Sequence, residues 1–284
     1  MKPKANGKLT IVATPIGNLG DFTPRASETL SNVDIIACED TRVTRKLLRL
    51  TGTNTSAKLV PYHDHNGAGM RPWLIEKMET GVNVALVSDA GTPLISDPGY
   101  KLVAACRDQN IGVFSTPGAS AVITALAVSG LPTDRFLFAG FVPSGASARQ
   151  DIFKEFAQIS ATTIWFDAPS RLAVTLGEMA EIMGPRIAVI ARELTKLHEE
   201  IIRGDLADLA TRIKTGPTLK GEIVLVVAGD DGTKSRLDDE ALVAMISAEL
   251  EGQSVRDAVA SVVETTGIAK NRVYKLALSL VDKS

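Results

Sequence analysis

The sequence predicts an α/β protein: two domains of alternating strands and helices, followed by a small all-helical module. Three observations carry this. Apolar runs of strand length recur as far as Val227, most followed by a loop and a stretch with helical spacing of apolar residues. A hydrophobic content of 45% in 284 residues can fill more than one core. Beyond Gly229-Asp230-Asp231-Gly232-Thr233-Lys234-Ser235, a linker by composition, the pattern is purely helical. The expected division is 1–130, 131–229 and 236–284.

Leu9 to Ala13 reads as the first strand, followed by the loop Thr14-Pro15-Ile16-Gly17-Asn18-Leu19-Gly20-Asp21. Thr23 as N-cap and Pro24 at the first helical position open a helix through Leu30. The loop is not G-x-G-x-x-G and carries no Walker lysine, so both nucleotide fingerprints fail. Val33 to Cys38 is the second strand and ends in Glu39-Asp40-Thr41-Arg42, where Asp40 or Thr41 can cap the next helix. That helix carries Arg42, Arg45, Lys46 and Arg49 at i, i+3, i+4 and i+7, with Val43, Leu47 and Leu50 toward another face. Such a stripe is either a solvated face or a seat for a polyanion. The second reading offsets the repulsion among four like charges, and spacing alone does not choose.

Leu59 to Tyr62 is a short strand, followed by a polar loop to Gly69, with His63-Asp64-His65-Asn66 in it, and a helix through Met78. A His-x-His pair with no third ligand nearby is no metal set, so no metal is expected. Val82 to Val87 is a buried parallel strand, and Tyr100 to Cys106 has helical spacing. Between them lies the stretch that organises the chain, Ser88-Asp89-Ala90-Gly91-Thr92-Pro93-Leu94-Ile95-Ser96-Asp97-Pro98-Gly99. It falls at the carboxyl end of a strand, where open α/β sheets bind ligands. Its two glycines, two prolines and two aspartates constrain the backbone more than a turn requires, which favours a ligand loop. Ile111 to Ser115 is the next strand, and Thr116-Pro117-Gly118-Ala119-Ser120-Ala121 is a small-residue turn before a helix from Val122 to Val128, stopped at Gly130-Leu131-Pro132. These loops, each after a strand, converge on one sheet edge.

The second half repeats the alternation. Arg135 to Phe141 is a strand, a helix lies around Asp151 to Ile159, and Thr162 to Phe166 is a strand. Asp167-Ala168-Pro169-Ser170 opens a helix through Met183, and the strand Ile187 to Ala191 ends at Arg192-Glu193-Leu194-Thr195-Lys196. Glu200 to Gly204 reads as an edge strand, Asp205 caps a helix to Lys214, and Lys220 to Val227 is the last strand. In the tail, Asp238 or Asp239 starts a helix to Leu250, and Ser254 with Asp257 resembles a capping box. Thr266 to Tyr274 has the Gly turn of a helix-turn-helix, which either binds nucleic acid through Lys270, Arg272 and Lys275 or serves as a packing unit.

A net charge of −2 argues against a chain that coats nucleic acid non-specifically, and leaves room for a local basic patch. Cys38 and Cys106 sit inside apolar elements and read as small core residues. No apolar run approaches a membrane span, and the basic start Met1 to Lys8 has no apolar h-region. The cytoplasm is the expected compartment.

These motifs together resemble a known family. The Ser88–Gly99 stretch, the Thr14–Asp21 and Thr116–Ala121 loops, Glu39-Asp40-Thr41-Arg42, Arg192–Lys196 and the helical tail are similar to the ribosomal small subunit methyltransferase I family. Its members are bacterial 16S rRNA (cytidine-2′-O)-methyltransferases within the tetrapyrrole methylase superfamily. The resemblance covers essentially the whole chain. It implies two α/β domains of class III methyltransferase type with S-adenosylmethionine in the cleft between them, usually as a homodimer. The implied acceptor is a cytidine in the decoding region of 16S rRNA, within the 30S subunit. On this resemblance Ile16, Gly17, Asn18, Gly91, Thr92, Pro93, Ile95, Ser120 and Ala121 line the cofactor from the first domain. Phe166, Asp167, Leu194 and Ile223 line it from the second. The superfamily's Gly-Asp-Pro reads Gly91-Thr92-Pro93 here, and the Gly-Asp of its first loop reads Gly17-Asn18, which fits the rRNA branch better than a tetrapyrrole substrate.

A ribose 2′-hydroxyl is a weak nucleophile that a base would help. Asp40, Asp89 and Asp97, each at a strand's carboxyl end, and Lys220 are the candidates, against bland roles in capping and loop bracing. With RNA as acceptor, Arg42, Arg45, Lys46 and Arg49 gain weight as a grip on phosphates, assisted by Arg149. Tetrapyrrole methylation and non-catalytic RNA binding in ribosome assembly are the competing readings.

Overall fold

The computed structural model describes residues 6–232, 239–266, 268 and 270–281. The expectations for the basic start at 1–5, the end of the linker at 233–235, Asp238 as a cap and the turn glycine Gly267 lie outside the described residues.

Buried apolar runs give a first sheet of five parallel strands: β1 (Lys8–Val12), β2 (Ile35–Cys38), β3 (Lys58–Pro61), β4 (Val84–Val87) and β5 (Gly112–Thr116). Their order is β3-β2-β4-β1-β5, so β4, buried along its whole length, is central. Parallel neighbours need crossovers, and helices supply them on both faces. On one face α3 (Gly67–Glu79) and α4 (Tyr100–Asp108) bury Leu74, Met78, Leu102 and Cys106 against Leu9, Ile11 and Leu86. On the other, α1 (Pro24–Asn32) and α2 (Thr41–Leu50) bury Ala26, Leu30 and Leu48 against Val12, Ile36, Cys38 and Val87. The caps are those the sequence implies: Thr23 accepts from Ala26 N, and Asp40 accepts from Arg42 N at 2.7 Å. Both cysteines are free and buried, and burial raises their thiols to about 11.

The buried face of α2 differs from the expected one. Thr44 and Leu48 are buried with Leu47 half-buried, while Val43 and Leu50 stay 39% and 51% exposed. The sheet-facing line is rotated by about one residue from the most apolar one. Arg42, Arg45, Lys46 and Arg49 are all exposed.

The second sheet orders β6 (Phe136–Phe141), β7 (Thr162–Asp167), β10 (Ile223–Val227), β8 (Ile187–Arg192) and β9 (Glu200–Asp205) as β6-β7-β10-β8-β9. The α/β alternation holds in the chain but not in the pairing, since only β6 and β7 run parallel. The other pairs are antiparallel because β8 returns to β9 through a short turn with no crossover helix, and β10 enters the middle from the far end. The edge position expected for Glu200–Gly204 is that of β9. The helix expected around Asp151–Ile159 is α6 (Ala146–Phe156), which starts earlier because Ala-Ser-Ala-Arg continues the helix back from Asp151. α7 (Leu172–Met183) and α8 (Leu206–Thr215) follow, the latter capped by Asp205 through Ala207 N.

The helix after β5, α5 (Ala121–Ser129), is apolar all round and so must be buried on more than one side. Its Val122, Ala125 and Leu126 pack on Ile164, Val189, Ala191, Val224 and Val226 of the second sheet. Residues 1–153 and 161–228, with both sheets, accordingly form one compact unit.

The second unit comprises 154–160 and 229–284. In it α9 (Asp239–Leu250), α10 (Val255–Thr266) and α11 (Lys270–Val281) enclose Leu242, Ile246, Val259, Val262, Ile268, Val273 and Ala277. Ser254 Oγ accepts from Asp257 N at 3.3 Å and bonds Asp257 Oδ2 at 2.6 Å, starting α10. Lys270, Asn271, Tyr274 and Lys275 are exposed on α11, and Arg272 is half-buried. No described helix is long and apolar enough to cross a membrane.

Candidate active site

Because the first sheet is parallel, the loops after β1, β4 and β5 leave the same edge, and hydrogen bonds stitch them together. Thr14 and Gly91 exchange backbone bonds, Thr14 N to Gly91 O at 2.9 Å and Gly91 N to Thr14 O at 3.1 Å. Thr14 Oγ1 donates to Ser88 O at 3.2 Å, and Thr92 Oγ1 donates to Ala119 O at 3.0 Å. The organising loop is strained. Leu94 and Ser96 adopt φ of 77° and 62°, conformations that cost a non-glycine residue about 1–3 kcal/mol each. Gly99 sits at φ 137°, and a Cβ there would stand 2.7 Å from Leu86 Cδ2. The loop is thereby held in one shape, with Ile95 and Asp97 turned to a cleft of about 420 Å³.

The first sheet's side of this cleft presents Ile16, Ala90, Gly91, Thr92, Ile95 and Asp97, with Ser120 and Ala121 at the start of α5. The second sheet supplies the opposite wall. Its register sets Asp167, Ile223 and Arg192 in one row, and the cleft takes Phe166, Asp167, Leu194 and Ile223 from that end. The resemblance did not name Ser96, Phe141, Ala168, Pro169, Gly221 and Glu222, which also line it. Ser96 belongs to the organising loop, and Ala168 and Pro169 to the turn after Asp167; Phe141 comes from a bulge, and Gly221 and Glu222 from a turn before β10 that no local motif announces.

Pro93 is buried behind the lining. Gly17 and Asn18 stand outside it, in a seam with the second half. Asn18 N donates to Thr195 Oγ1 at 3.2 Å, and a Cβ on Gly17 would stand 2.4 Å from Lys196 Cγ. Lys196 Nζ in turn reaches Glu193 Oε1 at 2.7 Å and Glu222 Oε2 at 3.0 Å. Glu193 and Thr195 also hold positive φ, 51° and 65°.

The candidate bases fall in different environments. Asp40 is engaged: Arg42 Nη2 lies 2.7 Å from its Oδ2, and these bonds hold its carboxyl down at about 2. Asp89 Oδ1 accepts from Asp40 N at 3.1 Å, outside the cleft lining; burial, then the Asp40 charge, raises its carboxyl, against the bond from Asp40 N. Asp97 lines the cleft, half-buried, and burial pushes its carboxyl up to about 6, with the Glu39 and Asp89 charges adding to this and the Ser88 hydroxyl opposing it. Lys220 is exposed and precedes the lining residue Gly221; its carbonyl accepts from Arg192 Nη1 at 3.1 Å.

Asp167 is a further carboxylate of the lining, and it is buried. Its Oδ1 accepts from Arg171 Nη2 and Ala168 N, both at 2.8 Å, while Oδ2 meets no partner among the described residues. The Asp167 side chain is wholly out of reach of solvent, so the carboxylate braces the turn into Ala168 and Pro169 and offers the cleft no open acceptor. The small side chains of Ala90, Gly91, Ser120 and Ala121 leave room for a ligand between largely apolar walls. S-adenosylmethionine, apolar over part of its adenosine, matches this cleft.

Arg149 corrects the expectation of a phosphate grip. It is 6% exposed, and its Nε and Nη2 reach Glu178 Oε2 and Oε1 at 2.6 and 2.7 Å. The guanidinium braces α6 on α7. Among the described residues no group of three or more His, Cys, Asp or Glu could hold a metal ion.

Comparison with known proteins places this geometry. The model of the Tetrapyrrole (Corrin/Porphyrin) Methylases matches residues 8–210, and that of the RsmI C-terminal HTH domain matches 236–281. The chain is 46% identical over 275 residues to the Ribosomal RNA small subunit methyltransferase I of Vibrio cholerae, covering 95% of this chain and 94% of that one. It is 44% identical over 278 residues to the protein of the same name from Escherichia coli O157:H7, covering 96% of each. Among solved structures, diphthine synthase gives a TM-score of 0.61 at 18% identity, over 78% of this chain and 90% of that one. Uroporphyrin-III C-methyl transferase from Thermus thermophilus, complexed with S-adenosyl homocysteine, gives 0.52 at 15%, over 78% and 97%. At such identities the two structures speak for the fold alone.

Proposed function

We infer the activity from membership: the chain belongs to the ribosomal RNA small subunit methyltransferase I family, within the tetrapyrrole methylases, and it methylates small-subunit rRNA with S-adenosylmethionine as donor. The observation that carries the site assignment is the cleft itself, with the half-buried Asp97 on the first sheet's wall and Phe166, Leu194 and Ile223 on the second's. Asp167, Ser120, Ala121, Leu194 and Ile223 hold the cofactor in this reading. When bound, it supplies a methyl group on a sulfonium, a good leaving group.

The rest falls to the chain's own residues. The apolar walls exclude water and fix the acceptor against the donor, an alignment worth up to ~7–11 kcal/mol of barrier. Asp97 takes the proton from the acceptor hydroxyl; Asp40 is held too acidic for that work, and Asp89 braces Asp40. The acceptor in this reading is a cytidine 2′-hydroxyl in the decoding region of 16S rRNA, presented within the 30S subunit. Arg42, Arg45, Lys46 and Arg49 meet RNA phosphates from α2, whose four exposed cations on one helix support the assignment. In this reading the enzyme works in the cytoplasm as a homodimer. A tetrapyrrole acceptor is set aside because the rRNA-methyltransferase relatives match the chain nearly end to end.

The test is labelled methyl transfer from S-adenosylmethionine to 30S subunits lacking the modification, with naked 16S rRNA and uroporphyrinogen as parallel acceptors. Label on the subunit, mapped to a cytidine 2′-oxygen, is the expected result. Label on the tetrapyrrole alone overturns the reading.

A further inference from the structure

The edge strand β6 loses register with β7 between Phe138 and Phe141, and inside the break Gly140 takes φ 77°. A bulge of this kind re-aims the neighbouring side chain, and bulges gather beside active sites. Here it delivers Phe141 to the cleft, where the residue stays 62% exposed. The ring is nonetheless held: it packs edge-to-face on Phe166 at 5.2 Å and 63°, and Phe166 packs likewise on Phe138 at 4.9 Å. A Cβ built on Gly140 would stand 4.0 Å from Ser96 Oγ, so the bulge approaches the turn that carries Asp97.

A fixed, uncovered aromatic ring near the proposed base is a platform for a planar partner. We propose that Phe141 stacks with the base of the nucleotide being methylated, holding that nucleotide out of its own stack so that its ribose faces Asp97. The proposal rests on the rRNA methyltransferase reading above and deepens it. A nucleotide whose hydroxyl enters the cleft brings its base with it, and extruding that base forfeits stacking that an enzyme side chain can replace. Aromatic stacking accepts any base and contributes roughly ten- to hundredfold in affinity.

The test uses the full-length protein carrying Phe141→Ala, Phe141→Leu or Phe141→Trp. Methyl transfer to unmodified 30S subunits, affinity for S-adenosylhomocysteine by calorimetry, and oligomeric state by sedimentation are measured for each. The expected result is a ten- to hundredfold fall in kcat/KM for Phe141→Ala and Phe141→Leu, recovery with Phe141→Trp, and unchanged S-adenosylhomocysteine affinity and sedimentation. Full activity in the leucine variant would make the ring mere apolar packing. Loss of S-adenosylhomocysteine affinity in step with activity would place it on the cofactor, and a changed sedimentation coefficient would place it at a subunit interface; each overturns the proposal. Absence of transfer by the wild type to any RNA, by contrast, fails the underlying reading and takes the proposal with it.

Discussion

Asp40, Asp89 and Asp97 lie in one loop cluster, yet solvent and neighbours treat them differently. Asp40 is fixed by its own helix's Arg42, whereas Asp97 faces an apolar cleft with Glu39 and Asp89 behind it. A carboxyl raised from 3.8 to about 6 is ionised at neutral pH yet basic enough to accept a proton. Asp97→Asn should therefore lower the transfer rate about 100-fold or more, with S-adenosylhomocysteine affinity little changed. In the wild type the rate should climb as pH rises through about 6 and level off above, as the carboxylate forms. A pH–rate profile that is flat from 5 to 8, or a fully active asparagine variant, would remove Asp97 from this role. The same burial makes a linked stability statement. Because the folded carboxyl is raised, ionising it costs the fold, a cost absent below about 4, growing up to about 6 and constant above. Asp97→Asn should accordingly melt about 2–4 °C higher than the wild type at pH 8 and no higher at pH 3.5, read by calorimetry.

At the scale of elements, cations that the RNA reading groups together separate. α2 shows four exposed cations, while Arg149 on α6, which the sequence offers as their helper, is buried against Glu178 on α7. Arg45→Glu with Lys46→Glu should weaken RNA binding and reduce the slope of log K against log salt by about 1.4–1.8, two phosphates' worth of released counterions. An unchanged slope would return the stripe to being a solvated face. Arg149→Ala should instead leave that slope alone and cost about 3 kcal/mol in urea unfolding, since Glu178 would keep a largely buried charge without its partner. The difference marks what was legible. Caps such as Thr23, Asp40 and Asp205, and strands buried on both faces, announce themselves locally. An ion pair between residues 29 apart on neighbouring helices leaves no local trace, nor does the bulge at Gly140.

At the scale of the catalytic unit, the cleft exists because two sheets share a core through α5 and a seam through Gly17–Asn18 and Thr195–Lys196. The first sheet's half of the cleft was readable, because a parallel sheet sends its loops to one edge. In the second half only the family resemblance points to Phe166, Asp167, Leu194 and Ile223, all four of which line the cleft; the residue pattern alone does not, because antiparallel pairing decides which turn ends face the cleft and alternation of elements does not encode pairing. Gly17 illustrates the consequence: the family motif offers it as a cofactor contact, yet the structure uses it as clearance. A methyl there would meet Lys196 Cγ at 2.4 Å, Thr195 Oγ1 at 2.9 Å and the Leu194 carbonyl at 3.1 Å. Lys196 cannot simply swing aside without breaking its bonds to Glu193 and Glu222, and Leu194 and Glu222 are cleft walls. Gly17→Ala should thus spread the seam and weaken S-adenosylhomocysteine binding about tenfold by calorimetry, although residue 17 lines no part of the cleft. The salt slope for RNA should stay as in the wild type, because α2 is untouched. Equal cofactor affinity in the two proteins would mean that the seam yields without moving the walls, and that the two halves of the cleft are positioned by the α5 core alone.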